Sequence, residues 1–207
     1  MPERIHGTGF EDAQGIARAL RLLGELLQAR GQRFQIVVIG GAAVNLLGIV
    51  SRATTDVDIL AFARPGPYGM LRLTPPDEPL PRPLVEAART VAADLGLDPN
   101  WLNAGPASQW QSGLPPGLEN RVQWSEYSGL GVGLVSRYDL IFLKLYAAVD
   151  DAGPTSVHFQ DLLALMPTDE ELAEAGSWVR QQDPSPVIAD TVTKVVSHAS
   201  SLRNRPR

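Results

Sequence analysis

The chain has 207 residues, a formal net charge of −5 and no cysteine, and 44% of its residues are hydrophobic. That length and apolar content fit one globular domain, or one domain with a helical extension. The absence of cysteine excludes disulfides, thiolate catalysis and cysteine zinc sites, and it suits the cytoplasmic protein that we expect. No apolar run is long enough to span a membrane. The negative net charge argues against broad nucleic-acid binding.

The first predicted element is an amphipathic helix over residues 11–30, which Gly31 can end. Its apolar stripe recurs at intervals of three and four residues, at Ile16, Leu20, Leu23 and Leu27. An apolar run over residues 34–39 then predicts a buried strand. Gly40 and Gly41 follow this strand and lead into a short helical pattern over residues 42–47.

The next predicted strand begins with two aspartates, Asp56 and Asp58. Because side chains alternate across a strand, both aspartates point to one face. The residues Val57, Ile59 and Ala61 anchor the opposite face in the core. Two carboxylates about 7 Å apart on one face can share a divalent metal ion. The same pair could instead be ordinary surface polarity at the start of a strand.

The glycine pair Gly40–Gly41 would let the backbone approach a ligand with no side chain between them. The free N–H groups of the next helix would face the same space, where they could bind phosphate. The pair could also be only a tight turn. The glycine pair, the two aspartates, and Arg52 and Thr54 between the two pairs form a more specific pattern. This pattern indicates an anion-binding turn beside a metal-binding pair of carboxylates.

Two proline- and glycine-rich stretches are predicted to be loops, at residues 64–83 and 104–120. The first contains seven prolines, so we expect no regular strand or helix there. A loop of this length could fold over a site or contact a partner. Between the loops, a helix is predicted over residues 83–95. Trp101 after it is interpreted as a core anchor, with stacking on a base as the alternative.

A β-hairpin is predicted from residues 121–127 and 130–136, with a tight turn at Ser128–Gly129. Glu126 is the only acidic residue within this pair of strands. It shares one face with Val122 and Trp124. A glutamate near a hairpin turn is usually solvated, and this is the alternative to a role in a site.

The rest of the chain is predicted to be helical, over residues 138–150, 156–166, 168–181 and 184–202. Lys144 lies among large apolar residues of the first of these helices. Its ammonium could extend to the surface, or it could be a cation aimed at a triphosphate. Asp161 in the next helix could pair with Lys144 or an arginine and position it, or it could be a solvated carboxylate.

Residues 36–62 resemble the motif of the polymerase-beta-type nucleotidyltransferase superfamily. They are most similar to the minimal branch that includes nucleotidyltransferase toxins of abortive-infection toxin–antitoxin pairs. The matching residues are Gly40, Gly41, Arg52, Thr54, Asp56 and Asp58. A weaker similarity extends into the C-terminal helices, where Lys144 opens a K-L-x-A sequence like that of the toxin-like members.

The resemblance implies that the glycine turn holds a nucleoside triphosphate and that Asp56 and Asp58 bind Mg²⁺ (or Mn²⁺). By the same resemblance, Arg52 and Lys144 would neutralise the triphosphate. Thr54 would hydrogen-bond near it.

Enzymes of this superfamily usually take a third metal-binding carboxylate from a later strand, and Glu126 is the candidate here. Asp161 would support Lys144. The chain departs from the family pattern at two positions. Ala104 stands where many relatives carry an aspartate, and His158 stands where relatives often carry an acidic residue.

We therefore predict an α/β (α+β) fold with a small mixed sheet of roughly four or five strands flanked by helices. Residues 1–136 would form the nucleotidyltransferase-like core. Residues 137–207 would form a helical region packed on it.

The leading hypothesis is metal-dependent transfer of a nucleoside monophosphate from a nucleoside triphosphate to an unknown acceptor. A tRNA or a protein would be the acceptor in a toxin-like role, with an antitoxin as partner. An alternative is a catalytically degenerate binding or regulatory protein. It is suggested by the loss of acidic residues at Ala104 and His158, and by a third carboxylate that is only a candidate. A further alternative is a small-molecule (antibiotic) nucleotidyltransferase whose pocket is formed by the two proline-rich loops.

Overall fold

The computed structural model describes residues 9–66, 71–151 and 153–203, without the side chains of residues 107, 108 and 111. The helices in this part are α1 (Ala13–Ala29), α2 (Gly40–Leu46), α3 (Arg82–Leu95), α4 (Gln109–Ser112), α5 (Arg137–Asp150), α6 (Val157–Ala164), α7 (Asp169–Gln182) and α8 (Pro186–Arg203). The strands are β1 (Phe34–Ile39), β2 (Val57–Pro65), β3 (Leu71–Thr74), β4 (Leu102–Asn103), β5 (Gln123–Tyr127) and β6 (Leu130–Leu134).

The strands form one mixed sheet in the order β3-β2-β1-β6-β5, with β4 paired to β2 outside this path. β1 is antiparallel to β2 and parallel to β6. The predicted α/β class and mixed sheet are confirmed, although the sheet has six strands where four or five were predicted. Within the described residues, no helix combines the length and the apolar character needed to cross a membrane.

Local sequence explains the helix α1. The side chain of Asp12 caps its start by accepting a hydrogen bond from the Gly15 N–H at 2.9 Å. Its predicted apolar stripe is fully buried, at Ile16, Leu20, Leu23 and Leu27. The helix therefore forms where the periodicity predicts it.

Several elements differ from their predictions, including the helix α4, which lies in the predicted loop over residues 104–120. The segment predicted to be a loop over residues 64–83 contains the strand β3, which is antiparallel to the end of β2. No proline falls within its four residues, so its N–H groups can join the ladder. The helix α2 begins at Gly40, so the glycine pair forms its first turn instead of preceding it.

The strand β2 carries a one-residue irregularity. Val37 pairs with Ala61, whereas the next residue, Val38, pairs with Ile59. Leu60 is therefore an extra residue in the β1–β2 ladder, which is the arrangement of a β-bulge. Since directly paired residues point to the same face, Ala61 and Ile59 lie on opposite faces. The prediction that they share a face is wrong.

The described residues divide into two compact units. The first lies within Met1–Gln111 and Glu119–Val135 and contains the sheet. The second lies within Ser112–Leu118 and Ser136–Arg207 and contains the helices α5 to α8. The short segment Ser112–Leu118 thus belongs to the helical unit, although it falls inside the range predicted for the core.

The helical unit contains an ion pair that makes stability depend on pH. Arg137 Nη1 lies 2.7 Å from Glu171 Oε1, and this hydrogen bond lowers the pKa of Glu171 below its usual value of 4.5. A carboxyl whose pKa is lower in the folded state stabilises the fold above its unfolded pKa, and this contribution is lost as the pH falls through the folded value. We expect the thermal unfolding midpoint to fall more steeply below pH 4.5 in the native chain than in Glu171→Gln. Parallel pH profiles from calorimetry would contradict this assignment.

Candidate functional site

The start of α2 lies against the carboxylate of Asp58. Gly40 has φ +74°, in the left-handed region that favours glycine. A Cβ atom at this position would collide with Asp58 Oδ2 and would lie 3.2 Å from Asp58 Cγ. Gly40 therefore meets two requirements, because it permits the backbone turn after β1 and leaves room for the Asp58 side chain.

Gly41 makes room for the polar segment before β2 in the same way. A Cβ atom at position 41 would lie 2.6 Å from Thr54 Oγ1 and 3.4 Å from Arg52 Nη2. Thr54 is buried and Arg52 is half-buried. The structure thus brings Arg52 and Thr54 against one glycine and Asp58 against the other.

Asn45 connects the helix to this segment. It is fully buried in α2, where its Nδ2 donates a hydrogen bond to the Gly41 carbonyl at 2.9 Å. Its Oδ1 accepts a hydrogen bond from the Arg52 backbone N–H at 3.2 Å. Asn45 was left without a role by sequence reasoning. The signal that could have identified it is an amide among the apolar residues of a short helix.

A second connection fixes Thr54 from the other side. Its backbone pairs with Phe10, with N–O distances of 2.7 Å and 3.0 Å. Gly9 is packed so closely that a Cβ atom there would lie 2.6 Å from the Thr54 carbonyl oxygen. The ring of Phe10 in turn contacts Trp101 edge-on, with the centroids 5.6 Å apart. The chain before α1 therefore holds the polar segment of the site in place.

Asp58 is half-buried as the second residue of β2, and Asp56, which is also half-buried, lies directly before this strand. Within the described residues, no group of three or more acidic, histidine or cysteine side chains could hold a metal ion. Mg²⁺ is usually held by one or two carboxylates together with waters and substrate phosphates. Two aspartates, with a glycine that leaves space for one of them, fit such an ion.

Glu126 does not join the aspartates. It lies opposite Gly131, which pairs with Gln35 near the start of β1. Asp58 instead pairs with Ile39 at the end of the same strand. Four residues of strand separate these two levels by about 13 Å, in addition to the spacing between strands. The prediction of Glu126 as third metal ligand therefore does not agree with the register of the sheet.

Glu126 instead lines a cavity of about 440 Å³ at the opposite end of β1 from Asp58. Phe34, Phe62 and Ala63 contribute apolar surface, and the lining also includes Arg64. This cavity includes neither aspartate of the motif. It belongs to the sheet unit and is separate from the glycine–aspartate cluster.

Lys144 and Asp161 form an ion pair within the helical unit. Lys144 Nζ lies 2.7 Å from Asp161 Oδ2, and the side chains are 4% and 2% exposed. This is the pairing that the sequence offered as one alternative for Asp161. It excludes both the surface position proposed for Lys144 and the solvated carboxylate proposed for Asp161.

In the segment after α3, residues 101–104 include no acidic side chain. Trp101 is fully buried and donates from Nε1 to the Ala88 carbonyl at 2.9 Å, so its interpretation as a core anchor is confirmed. Asn103 pairs beside Asp58 in the parallel β4–β2 ladder, and Ala104 follows it. Trp110 donates from Nε1 to the carbonyl of the bulge residue Leu60 at 2.6 Å, a contact that no sequence pattern indicated.

Comparison with known families gives a match that covers most of the chain. A family model described as "Nucleotidyltransferase of unknown function (DUF6036)" matches residues 18–155 of the chain. That range includes every predicted site residue except Asp161. No curated protein and no solved structure matches the chain.

Proposed function

We propose metal-dependent nucleotidyl transfer as the activity of this chain, which belongs to the family of nucleotidyltransferases of unknown function. The observation that carries the proposal is the fit between α2 and the segment leading into β2. Gly40 leaves space for the Asp58 carboxylate, and Gly41 leaves space for Thr54 and Arg52. A backbone turn, a carboxylate, a hydroxyl and a guanidinium thus share one small region.

The proposed roles follow from the chemistry of these groups. The N–H groups of Gly40 and Gly41 would cradle phosphate, and the guanidinium of Arg52 would balance its charge. The hydroxyl of Thr54 would donate a hydrogen bond to it. Mg²⁺ held by Asp56 and Asp58 would supply charge neutralisation at the phosphates. Lys144, positioned by Asp161, remains a predicted cation for the triphosphate.

In the proposed transfer, an acceptor hydroxyl oxygen bonds to the α-phosphorus of the nucleotide. The bond from this phosphorus to the oxygen that bridges to the β-phosphate breaks, and pyrophosphate leaves with the electron pair. The hydroxyl proton passes to solvent. We propose a tRNA end or a protein hydroxyl as acceptor, in a toxin-like role with an antitoxin as partner protein.

A second candidate is a nucleotidyltransferase-fold protein that binds or regulates without catalysis. The observation that favours it is the absence, within the described residues, of a third acidic side chain beside Asp56 and Asp58. This candidate predicts weak or absent binding of metal–nucleotide complexes.

The test begins with calorimetric titration of the full chain with each of the four Mg²⁺-bound nucleoside triphosphates. We expect at least one to bind with a dissociation constant in the range of about 1 μM to 1 mM that is common for enzyme substrates. Incubation with that nucleotide, labelled at the α-phosphate, should then label tRNA, protein or an antibiotic covalently. No binding by the folded chain at millimolar nucleotide would overturn the proposal and favour the second candidate.

Glu126→Gln provides the matched control for this experiment. It removes a carboxylate from the same sheet unit at a position that the register separates from Asp58. We expect nucleotide affinity within about twofold of the native value, since exposed charges beyond about 10 Å are largely screened. A tenfold loss in Glu126→Gln would restore its sequence-predicted role as a metal ligand.

A further inference from the structure

We propose that Trp110 is a positioning residue for the aspartate pair, because its indole holds the bulge in β2 that sets the face on which Asp58 lies. This inference rests on the proposed function, since it concerns the direction of a metal-binding carboxylate. It assigns a role to a residue outside the sequence motif, in a stretch predicted to be a loop.

The register shows what the bulge does. Ile36 pairs with Phe62 and Val37 with Ala61. Continued without interruption, this register would place Ile59 opposite Ile39. Because of the extra residue, Asp58 lies opposite Ile39 instead. A one-residue shift moves a side chain to the other face of a sheet, so the bulge determines which face carries Asp58.

The bulge leaves Leu60 without a paired residue on β1. Leu60 is the extra residue and is fully buried, so solvent does not reach it. A buried carbonyl needs a donor. The indole Nε1–H of Trp110 fills this role, with 2.6 Å between nitrogen and oxygen.

The segment that carries Trp110 contacts β2 at two levels. Leu102 and Asn103 pair in parallel with Val57 and Asp58. Asn103 Oδ1 then accepts a hydrogen bond from the Gly105 N–H at 2.7 Å, and a 3₁₀ turn over Gly105–Ser108 leads to the helix α4. Trp110 in α4 then contacts β2 at the carbonyl of Leu60, two residues beyond Asp58. One short segment therefore fixes the strand both at the aspartate and at the bulge.

Trp101 offers a matched control within the same unit. Its indole also donates to a buried carbonyl, that of Ala88, at 2.9 Å. The hydrogen bond is of the same kind but does not involve the bulge. Trp101→Phe and Trp110→Phe both keep an aromatic ring and remove one N–H donor, so a general loss of stability should be similar in the two variants.

The experiment uses the full chain and both variants, with Mn²⁺ alone as the metal probe, followed by electron paramagnetic resonance. By NMR, the ¹³C resonance of the Leu60 carbonyl reports the hydrogen bond from Trp110, and that of the Asp58 carboxyl reports whether the loss of this bond reaches the aspartate. Thermal unfolding measures the structural cost. We expect Trp110→Phe to move both resonances and to weaken Mn²⁺ binding about tenfold or more, as is typical for groups that orient metal ligands. Trp101→Phe should leave the resonances and Mn²⁺ affinity close to native, although its unfolding midpoint falls.

A native Asp58 resonance in Trp110→Phe would overturn the proposal, because the Leu60 resonance moves with the loss of its donor in any case. Equal losses of Mn²⁺ affinity in the two variants would overturn it as well, because they would show a general structural effect. If the native chain binds no Mn²⁺, the metal site of the proposed function fails. The Asp58 resonance then still decides whether Trp110 positions that carboxylate.

Discussion

Replacement of Asp58 by asparagine is expected to lower the rate of nucleotidyl transfer about a thousandfold while the chain stays folded. Asparagine has the size and shape of aspartate, so the space beside Gly40 remains filled. The change removes the negative charge that would hold Mg²⁺ at the phosphates. A metal ion contributes several kcal/mol of transition-state stabilisation, and about 4 kcal/mol corresponds to a thousandfold change in rate.

The measurement is transfer of α-labelled nucleotide at saturating Mg²⁺, together with urea unfolding of each variant. Asp77→Asn serves as the control, since it removes one carboxylate charge from an exposed pair with Arg64. We expect Asp77→Asn to keep the native rate and Asp58→Asn to change the unfolding free energy by less than about 1 kcal/mol. If Asp58→Asn retained more than a tenth of the native rate, Asp58 would not be a metal ligand in the reaction.

The second large effect is expected at the ion pair of the helical unit. Lys144→Met removes the cation that lies 2.7 Å from Asp161, whose side chain is 2% exposed. Removing one partner of a buried pair typically costs about 3–5 kcal/mol, because the other charge stays in a poorly solvated position. Asp161→Asn should destabilise the unit for the same reason. Urea unfolding measures both losses.

The double variant Lys144→Met/Asp161→Leu separates stability from function. Replacing a buried pair by apolar residues of similar volume is often neutral or stabilising, so we expect an unfolding free energy near the native value. If Lys144 is also a cation for the triphosphate, this folded variant should bind the Mg²⁺–nucleotide about tenfold more weakly. Native affinity in the double variant would show that the pair has a structural role alone. An unfolding loss as large as in the single variants would contradict the assignment of a replaceable pair.

The elements that local sequence determines were predictable. The boundaries of β1 and the stripe of α1 depend on residues close together in the chain, and so does the start of α7, where Thr168 and Glu171 exchange capping hydrogen bonds. The cluster of Gly40, Gly41, Arg52, Thr54 and Asp58 was also predictable, because a short motif in this order must fold back on itself. The first four of these residues lie in the segment that joins β1 to β2, and Asp58 is the second residue of β2.

The errors arise where the register between strands decides the outcome. The residues Ile59 to Phe62 are all apolar and buried, so their pattern does not reveal a shift of one position at Leu60. The sequence offered Glu126 as a metal ligand because it is the only acidic residue in the predicted hairpin. Its distance from Asp58 depends instead on how β5 pairs with β6 and β6 with β1. The strand β3 was missed because prolines border it on both sides. No local signal links Trp110 to a carbonyl fifty residues earlier.

The close approach of Gly41 to Thr54 is expected to couple the residues that related chains can hold at these two positions. A Cβ atom at position 41 would lie 2.6 Å from Thr54 Oγ1, so the two residues share one fixed volume. Homologous chains can enlarge position 41 only if position 54 becomes smaller, for example with alanine and glycine in place of glycine and threonine. Such compensated pairs would lose the hydroxyl proposed to contact phosphate. Within a family alignment, the size of the residue at position 41 should therefore separate chains that keep this hydroxyl from chains that do not.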